Sequence, residues 1–257
     1  MAALPADLPI RTFAAEDGVR LAWRETGPAD GWPVVLLHGL FSDGYTNWVR
    51  YGHAARLAAR GLRVILPDLR GHGASGRPHD PAAYPPDILA RDGAALIAHL
   101  GLRDFDLGGY SLGARTAVRM LIAGLRPRRA AIAGMGREGL LDTGRRARHF
   151  RAILQGIGTH RQGSPEWMAE AFLKTTGGDP QALLPLLDSF VDTPEAALRV
   201  LATPCLVVIG AEDGDNGSAA ELAALLPDAR LETIPGNHMS AVTKPDLGDA
   251  LAAFFGG

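Results

Sequence analysis

A chain of 257 residues with 47% hydrophobic and 21% charged residues carries enough apolar material for one large core, and no second domain is needed. Its 26 basic and 28 acidic residues leave a net charge of −2, and nothing in that balance points to nucleic acid or an anionic membrane as partner. The single cysteine, Cys205, excludes an internal disulfide and reads as a buried small hydrophobe at the head of the run to Ile209. No stretch approaches the ~20 apolar residues of a membrane span. Met1 to Ile10 has neither the basic region nor the apolar run of a signal peptide, so a cytoplasmic protein is expected.

In chain order, Ile10 to Ala14 and Arg20 to Thr26 flank Asp17-Gly18 and are predicted as an edge hairpin. Short apolar runs then recur at Val34–Leu37, Arg63–Pro67, Phe105–Gly109, Ala130–Gly134, Leu206–Gly210 and Arg230–Pro235, each followed by a turn signal and each read as a buried strand. Helical patterns lie between them. One runs from Trp48 to Arg60 and stops at Gly61. A second follows Asp87 as its N-cap and runs from Ile88 to Leu100. A third runs from Leu112 to Ala123. The alternation predicts an α/β fold: a mostly parallel central sheet with helices on both faces. It breaks over roughly residues 135–200, where only helix signals occur. There, Ser164-Pro165-Glu166 and Thr193-Pro194-Glu195 each look like an N-cap followed by proline at the first helical position, and Gly177-Gly178 separates two helices. An all-helical insertion late in a single α/β domain spanning 1–257 reads as a lid.

The chemistry centres on Gly109-Tyr110-Ser111-Leu112-Gly113, placed between a strand and a helix. A sharp turn there would push the Ser111 hydroxyl outward, with small residues two before and two after to prevent clashes. A serine hydroxyl needs a base, and the base an orienting acid. His149 and His160 fall in the insertion, whereas His238 follows the last strand in Pro235-Gly236-Asn237-His238, at a strand end where α/β sites lie. The acid is expected from Ala211-Glu212-Asp213-Gly214-Asp215: Asp213 first, then Asp215, then Glu212. Oxyanion donors are expected from the backbone N–H of Leu112 and, in the loop His38-Gly39-Leu40-Phe41, of Leu40, with Phe41 second. Gly39 is expected to let that backbone approach closely.

Together His38-Gly39, Asp68-Leu69-Arg70-Gly71-His72-Gly73-Ala74-Ser75, Gly109 to Gly113, Gly210 to Asp213 and Gly236-Asn237-His238 resemble the α/β-hydrolase superfamily, of the small single-domain kind with a helical lid. The resemblance implies the α/β-hydrolase fold, hydrolysis of an ester or related carbonyl compound, a small-molecule substrate, and neither metal nor cofactor. It gives Asp68 to Ser75 and His38 structural roles.

Serine in place of aspartate at the elbow argues against haloalkane and epoxide chemistry and for acyl chemistry: carboxylic ester, lactone or thioester hydrolysis, with C–C hydrolysis or perhydrolase and acyl transfer as alternatives, and a non-turnover binding protein as the competing class. With His238 required neutral, activity is expected to rise through about pH 6 to 8. Phe41, Tyr110, Trp167 and Met239 are candidate pocket residues. In the insertion, Ala147, Phe150, Leu154 and Ile157 form an apolar stripe with Arg145, Arg148 and His149 opposite. A solvated basic face is expected there, with binding of a substrate carboxylate as the alternative.

Overall fold

The computed structural model describes residues 8–257, so the expectation for the first ten residues lies largely outside it. Strands β1 (Arg11–Ala14) and β2 (Arg20–Thr26) pair antiparallel as the predicted hairpin at one edge. Six more follow: β3 (Trp32–Leu37), β4 (Leu62–Asp68), β5 (Asp106–Tyr110), β6 (Ala130–Ala133), β7 (Cys205–Gly210) and β8 (Ala229–Ile234). The sheet order is β1-β2-β4-β3-β5-β6-β7-β8, with β3 to β8 mutually parallel. This is the α/β-hydrolase fold.

The apolar runs are continuous because both faces of the sheet are covered, and the period-two alternation of a strand sends neighbours to opposite cores. Val35, Leu37, Ile65, Leu107, Ile132 and Val207 share one core with Leu96 and Ile97 of α2 (Ile88–His99) and with Val118 and Leu121 of α3 (Leu112–Ile122). Val34, Leu36, Val64, Leu66, Ala131 and Val208 share the other with Leu57, in the helix α1 (His53–Ala58), and with Leu251 and Phe255. Between β6 and β7 lie only helices: α4 (Arg137–Leu141), α5 (Thr143–Gln155), α6 (Pro165–Thr175), α7 (Pro180–Leu186) and α8 (Glu195–Leu198). Beyond β7 come α9 (Ala219–Leu225), α10 (His238–Ala241) and α11 (Pro245–Phe255), the last of which carries Leu251 and Phe255. No helix among the described residues is long and apolar enough to cross a membrane.

Three local expectations are corrected. The helix from Trp48 to Arg60 is two pieces: a wide helical turn over Tyr45–Val49, then α1, separated by Gly52 at φ +79°, a left-handed conformation that no helix interior accepts. Asp87 precedes α2 but does not cap it, because its own φ is +60° and its carboxylate is taken by Arg119 at 2.5 and 2.8 Å. Thr193 likewise fails as a cap. Helix α8 starts after Pro194, and the buried Thr193 instead joins α4 through its N–H, donated to the Leu140 carbonyl at 2.9 Å. Ser164 does cap α6, accepting from the Trp167 N–H at 3.2 Å.

Candidate active site

Strand β5 turns into α3 through Ser111 alone, at φ +53° and ψ −110°. A serine is rarely found in that region, and the surroundings must hold it. Its N–H donates to the Ala133 carbonyl at 2.8 Å. The flanking glycines are obligatory: a Cβ on Gly109 would lie 2.2 Å from the Gly113 carbonyl carbon, and one on Gly113 would lie 2.1 Å from the Leu37 oxygen.

The Ser111 hydroxyl faces His238 Nε2 at 2.9 Å, and His238 Nδ1 lies 2.8 Å from Asp213 Oδ2. A carboxylate only accepts, so Nδ1 carries the proton and Nε2 is left to accept from the serine hydroxyl. His238 is fixed by its turn. Asn237 accepts from the N–H groups of Met239 and Ser240, and Ser240 Oγ accepts from the Asn237 N–H, a reciprocal cap that starts α10 at His238. The loops bearing Asp213 and His238 touch at Gly210, where a Cβ would meet the Gly236 oxygen at 2.2 Å.

These loops separate the three acids. The Asp213 side chain is fully buried on His238. Asp215 is half exposed and faces Arg146 at 3.6 Å. Glu212 is exposed and reaches the second loop only through its N–H, donated to the Gly236 carbonyl at 3.0 Å.

Opposite the serine, Gly39 to Ser42 form a turn closed by the Ser42 N–H on the Gly39 carbonyl at 3.2 Å, with Phe41 at φ +64°. Leu40 in this turn and Ser111 line the same cavity. Leu112 is the first residue of α3, so its N–H has no partner one turn back in the helix. The expectation for Gly39 is corrected: a Cβ there would meet nothing nearer than 3.6 Å, so close approach does not require this glycine. His38 braces the turn. Its Nε2 accepts from the Leu69 N–H at 2.9 Å and its Nδ1 donates to the Gly39 carbonyl at 2.8 Å, while complete burial holds its pKa below the usual value. Arg70 is equally structural, clamped between Asp92 and Asp17.

A cavity of about 150 Å³ opens beside Ser111 and His238. Leu40, Phe41, Phe150, Ala169, Phe172, Met239 and Val242 make its apolar wall, and Tyr110, Thr46, Asn47, Tyr51 and Thr243 also line it. Among the described residues that line it there is no lysine, arginine, aspartate or glutamate. Trp167 does not reach it, a correction: α6 turns Ala169 and Phe172, three residues apart, toward the cavity, and leaves Trp167 more than a third exposed. The insertion's arginines also lie elsewhere. Arg146 is buried across the Phe150 ring and beside Asp215, Arg145 reaches the Asp215 carbonyl at 3.3 Å, and Arg151 pairs with Asp188. Thr46, Asn47, Tyr51, Val242 and Thr243 line the cavity without having been singled out in the sequence. Phe150 and Phe172, large apolar residues of the insertion, carried a signal, and both line the cavity.

Residues 34–248 match the alpha/beta hydrolase family. Among curated proteins, a non-heme haloperoxidase from Rhodococcus erythropolis is 38% identical over 110 residues, which are 41% of this chain and 36% of that protein. A magnesium-chelatase 30 kDa subunit from Rhodobacter capsulatus is 29% identical, with 92% of each chain covered. The chain spans well under half the length of several curated relatives that it matches, the haloperoxidase among them. Among solved structures, an esterase from a Rhodococcus species superposes with a TM-score of 0.74 at 26% identity, covering 96% of this chain and 98% of that one. With the fold, the strained serine and a family match across most of the sequence all in agreement, the chain belongs to the alpha/beta hydrolase family.

Proposed function

We propose that the protein is a serine hydrolase that cleaves a small, uncharged carboxylic ester, or a related lactone or thioester, through an acyl-enzyme on Ser111. The observation that carries this reading is the unbroken row Asp213–His238–Ser111, with hydrogen bonds of 2.8 and 2.9 Å ending on a serine beside an apolar cavity. His238 Nε2 takes the proton as Ser111 Oγ attacks the carbonyl carbon. Asp213 holds the imidazole in the accepting tautomer and stabilises the imidazolium that forms. The oxyanion sits on the amides of Leu112 and Leu40, then collapses as His238 protonates the leaving group. Water attacks the acyl-enzyme with His238 again as base, and the acid product leaves.

The substrate is small because the cavity is, and uncharged because an ion brought there would lose its hydration against a wall without an opposing charge. We read the helical insertion as a lid, since α5 and α6 supply Phe150, Ala169 and Phe172 to the cavity. The haloperoxidase relative favours a second reading, in which hydrogen peroxide rather than water receives the acyl group on the same serine.

The test is a panel of p-nitrophenyl esters from acetate to octanoate, with the hemisuccinate as charged member, on wild type and Ser111→Ala. Turnover of short neutral esters, at least tenfold better than the hemisuccinate and absent from the variant, is the expected result. Equal turnover by Ser111→Ala would overturn the serine assignment, and a preference for the hemisuccinate would overturn the neutral substrate.

A further inference from the structure

We propose that Thr176, in the helical insertion, is a positioning residue for the turn that presents the Leu40 amide to the oxyanion. This rests on the serine-hydrolase reading above. Phe41 sits at φ +64° as the second central residue of the turn from Gly39 to Ser42. That place ordinarily goes to glycine or asparagine, and a bulky aromatic residue occupies it only when its surroundings enforce it.

Two contacts enforce it, and both come from the insertion. Thr176, the residue that ends α6, donates its hydroxyl to the Phe41 carbonyl at 2.7 Å. The carbonyls of Leu173 and Phe172 lie farther off, at 3.0 and 3.4 Å, so the single hydroxyl proton has its shortest acceptor across the interface and not in its own helix. The Phe41 ring, almost fully buried, meets the Phe150 ring of α5 edge-on at 5.4 Å.

The next residues of the insertion are tied to the α/β body as well. The Gly177 carbonyl accepts from Arg77 at 2.7 Å, and Asp179 meets His79 at 2.8 Å. The end of α6 is thus fastened at the place where it holds the turn. The Leu40 N–H belongs to the peptide that joins Gly39 to Leu40, inside the turn closed by the Ser42 N–H on the Gly39 carbonyl and one peptide ahead of Phe41. A change of Phe41 out of the left-handed region rotates the Leu40–Phe41 and Phe41–Ser42 peptides, opens the Ser42–Gly39 closure of the turn, and so releases the Gly39–Leu40 peptide and re-aims its N–H. An oxyanion donor acts only from a fixed position, so releasing the Phe41 carbonyl lowers the rate of the step that forms the tetrahedral centre more than it weakens binding of a planar ester.

The test is the second-order rate of Ser111 phosphonylation by an alkyl fluorophosphonate, in which Oγ bonds to phosphorus, fluoride leaves and the phosphoryl oxygen occupies the oxyanion position. Wild type, Ser111→Ala, Thr176→Val and Thr176→Ser are compared, with Tm measured on each. The expected result is labelling of wild type, none of Ser111→Ala, a rate roughly tenfold lower in Thr176→Val (the worth of one well-made hydrogen bond) and recovery to within about threefold in Thr176→Ser. Labelling of Thr176→Val at the wild-type rate, or an equal loss in both Thr176 variants, overturns the positioning role while leaving the nucleophile intact. No labelling of wild type overturns the serine reading, and this inference with it. Should Thr176→Val melt far below wild type, the Thr176→Ser comparison with a folded Thr176→Ala decides between the outcomes.

Discussion

The hydroxyl of Tyr110 donates to the main-chain carbonyl of His238 at 2.6 Å, which ties the residue before the serine to the residue that faces it across the sheet end. The bond is buried, and burial pushes the Tyr110 phenol well above its usual pKa, so the donor keeps its proton at every working pH. Gly134 makes room for it, since a Cβ there would strike the Tyr110 ring at 2.7 Å. Tyr110→Phe leaves the His238 carbonyl without this partner. A loss of about 1–2 kcal/mol in stability is expected, together with a several-fold lower kcat as the imidazole gains freedom. Denaturant melts and steady-state rates on the same preparation check both.

Asp213 and Asp215, two of the three acids after β7, should part sharply on substitution. Asp213→Asn removes the acceptor that fixes the His238 tautomer, and a fall in kcat of about 10⁴-fold is expected. Asp215→Asn removes a half-exposed partner of Arg146, and rates within about threefold of wild type are expected. Similar losses in the two variants would contradict the geometry.

Glycines near the site divide by what a methyl group would meet. Gly109→Ala and Gly113→Ala drive a Cβ into main-chain atoms at 2.2 and 2.1 Å, and a loss of more than about 3 kcal/mol, or failure to fold, is expected. Gly39→Ala finds 3.6 Å of clearance and should cost less than about 1 kcal/mol. Thermal melts of the three variants read this directly.

Acid stability should depend on His72. It is fully buried, its Nδ1 donates to the Arg70 carbonyl at 3.1 Å, and burial pulls its pKa down to about 3 from the usual 6.5. Below about pH 6.5 the unfolded chain binds a proton that the folded chain refuses until near pH 3. The group's contribution is therefore complete above pH 6.5 and declines as the pH falls toward 3, by up to ~1.4 kcal/mol per pH unit. In His72→Asn the slope of stability against pH between 6 and 4 should be shallower than in wild type. Equal slopes, from urea melts at each pH, would contradict it.

The sheet was legible because each parallel strand is a short run buried on both faces, and Val34 to Leu37 could be read in no other way once helices alternated with such runs. Ser111 and His238 were legible because their glycines answer to backbone collisions that any sequence on this turn must avoid. What stayed hidden depends on distant partners. Asp87 has the chemistry of a cap, but Arg119 takes its carboxylate. Asp213 stands ahead of Asp215 in the sequence only by its reach from the strand-ending Gly210, and the partners that set the two apart, His238 for one and Arg146 for the other, are not visible there. Trp167 is the largest side chain in the insertion, yet the rotation of α6 gives the cavity to Ala169 and Phe172. Gly52 breaks a helix whose apolar pattern continues past it, since periodicity records which face is buried and not where the chain pauses.

The most direct measurement of the central assignment is a rapid-mixing experiment with p-nitrophenyl butyrate, followed by intact mass and peptide mapping of the acid-quenched enzyme. A burst of nitrophenol close to one equivalent, with a butyryl group on the Ser111 peptide that Ser111→Ala does not form, is the expected result. Turnover with no burst and no adduct in wild type, or an adduct mapped to another residue, would contradict Ser111 as the acyl-bearing nucleophile.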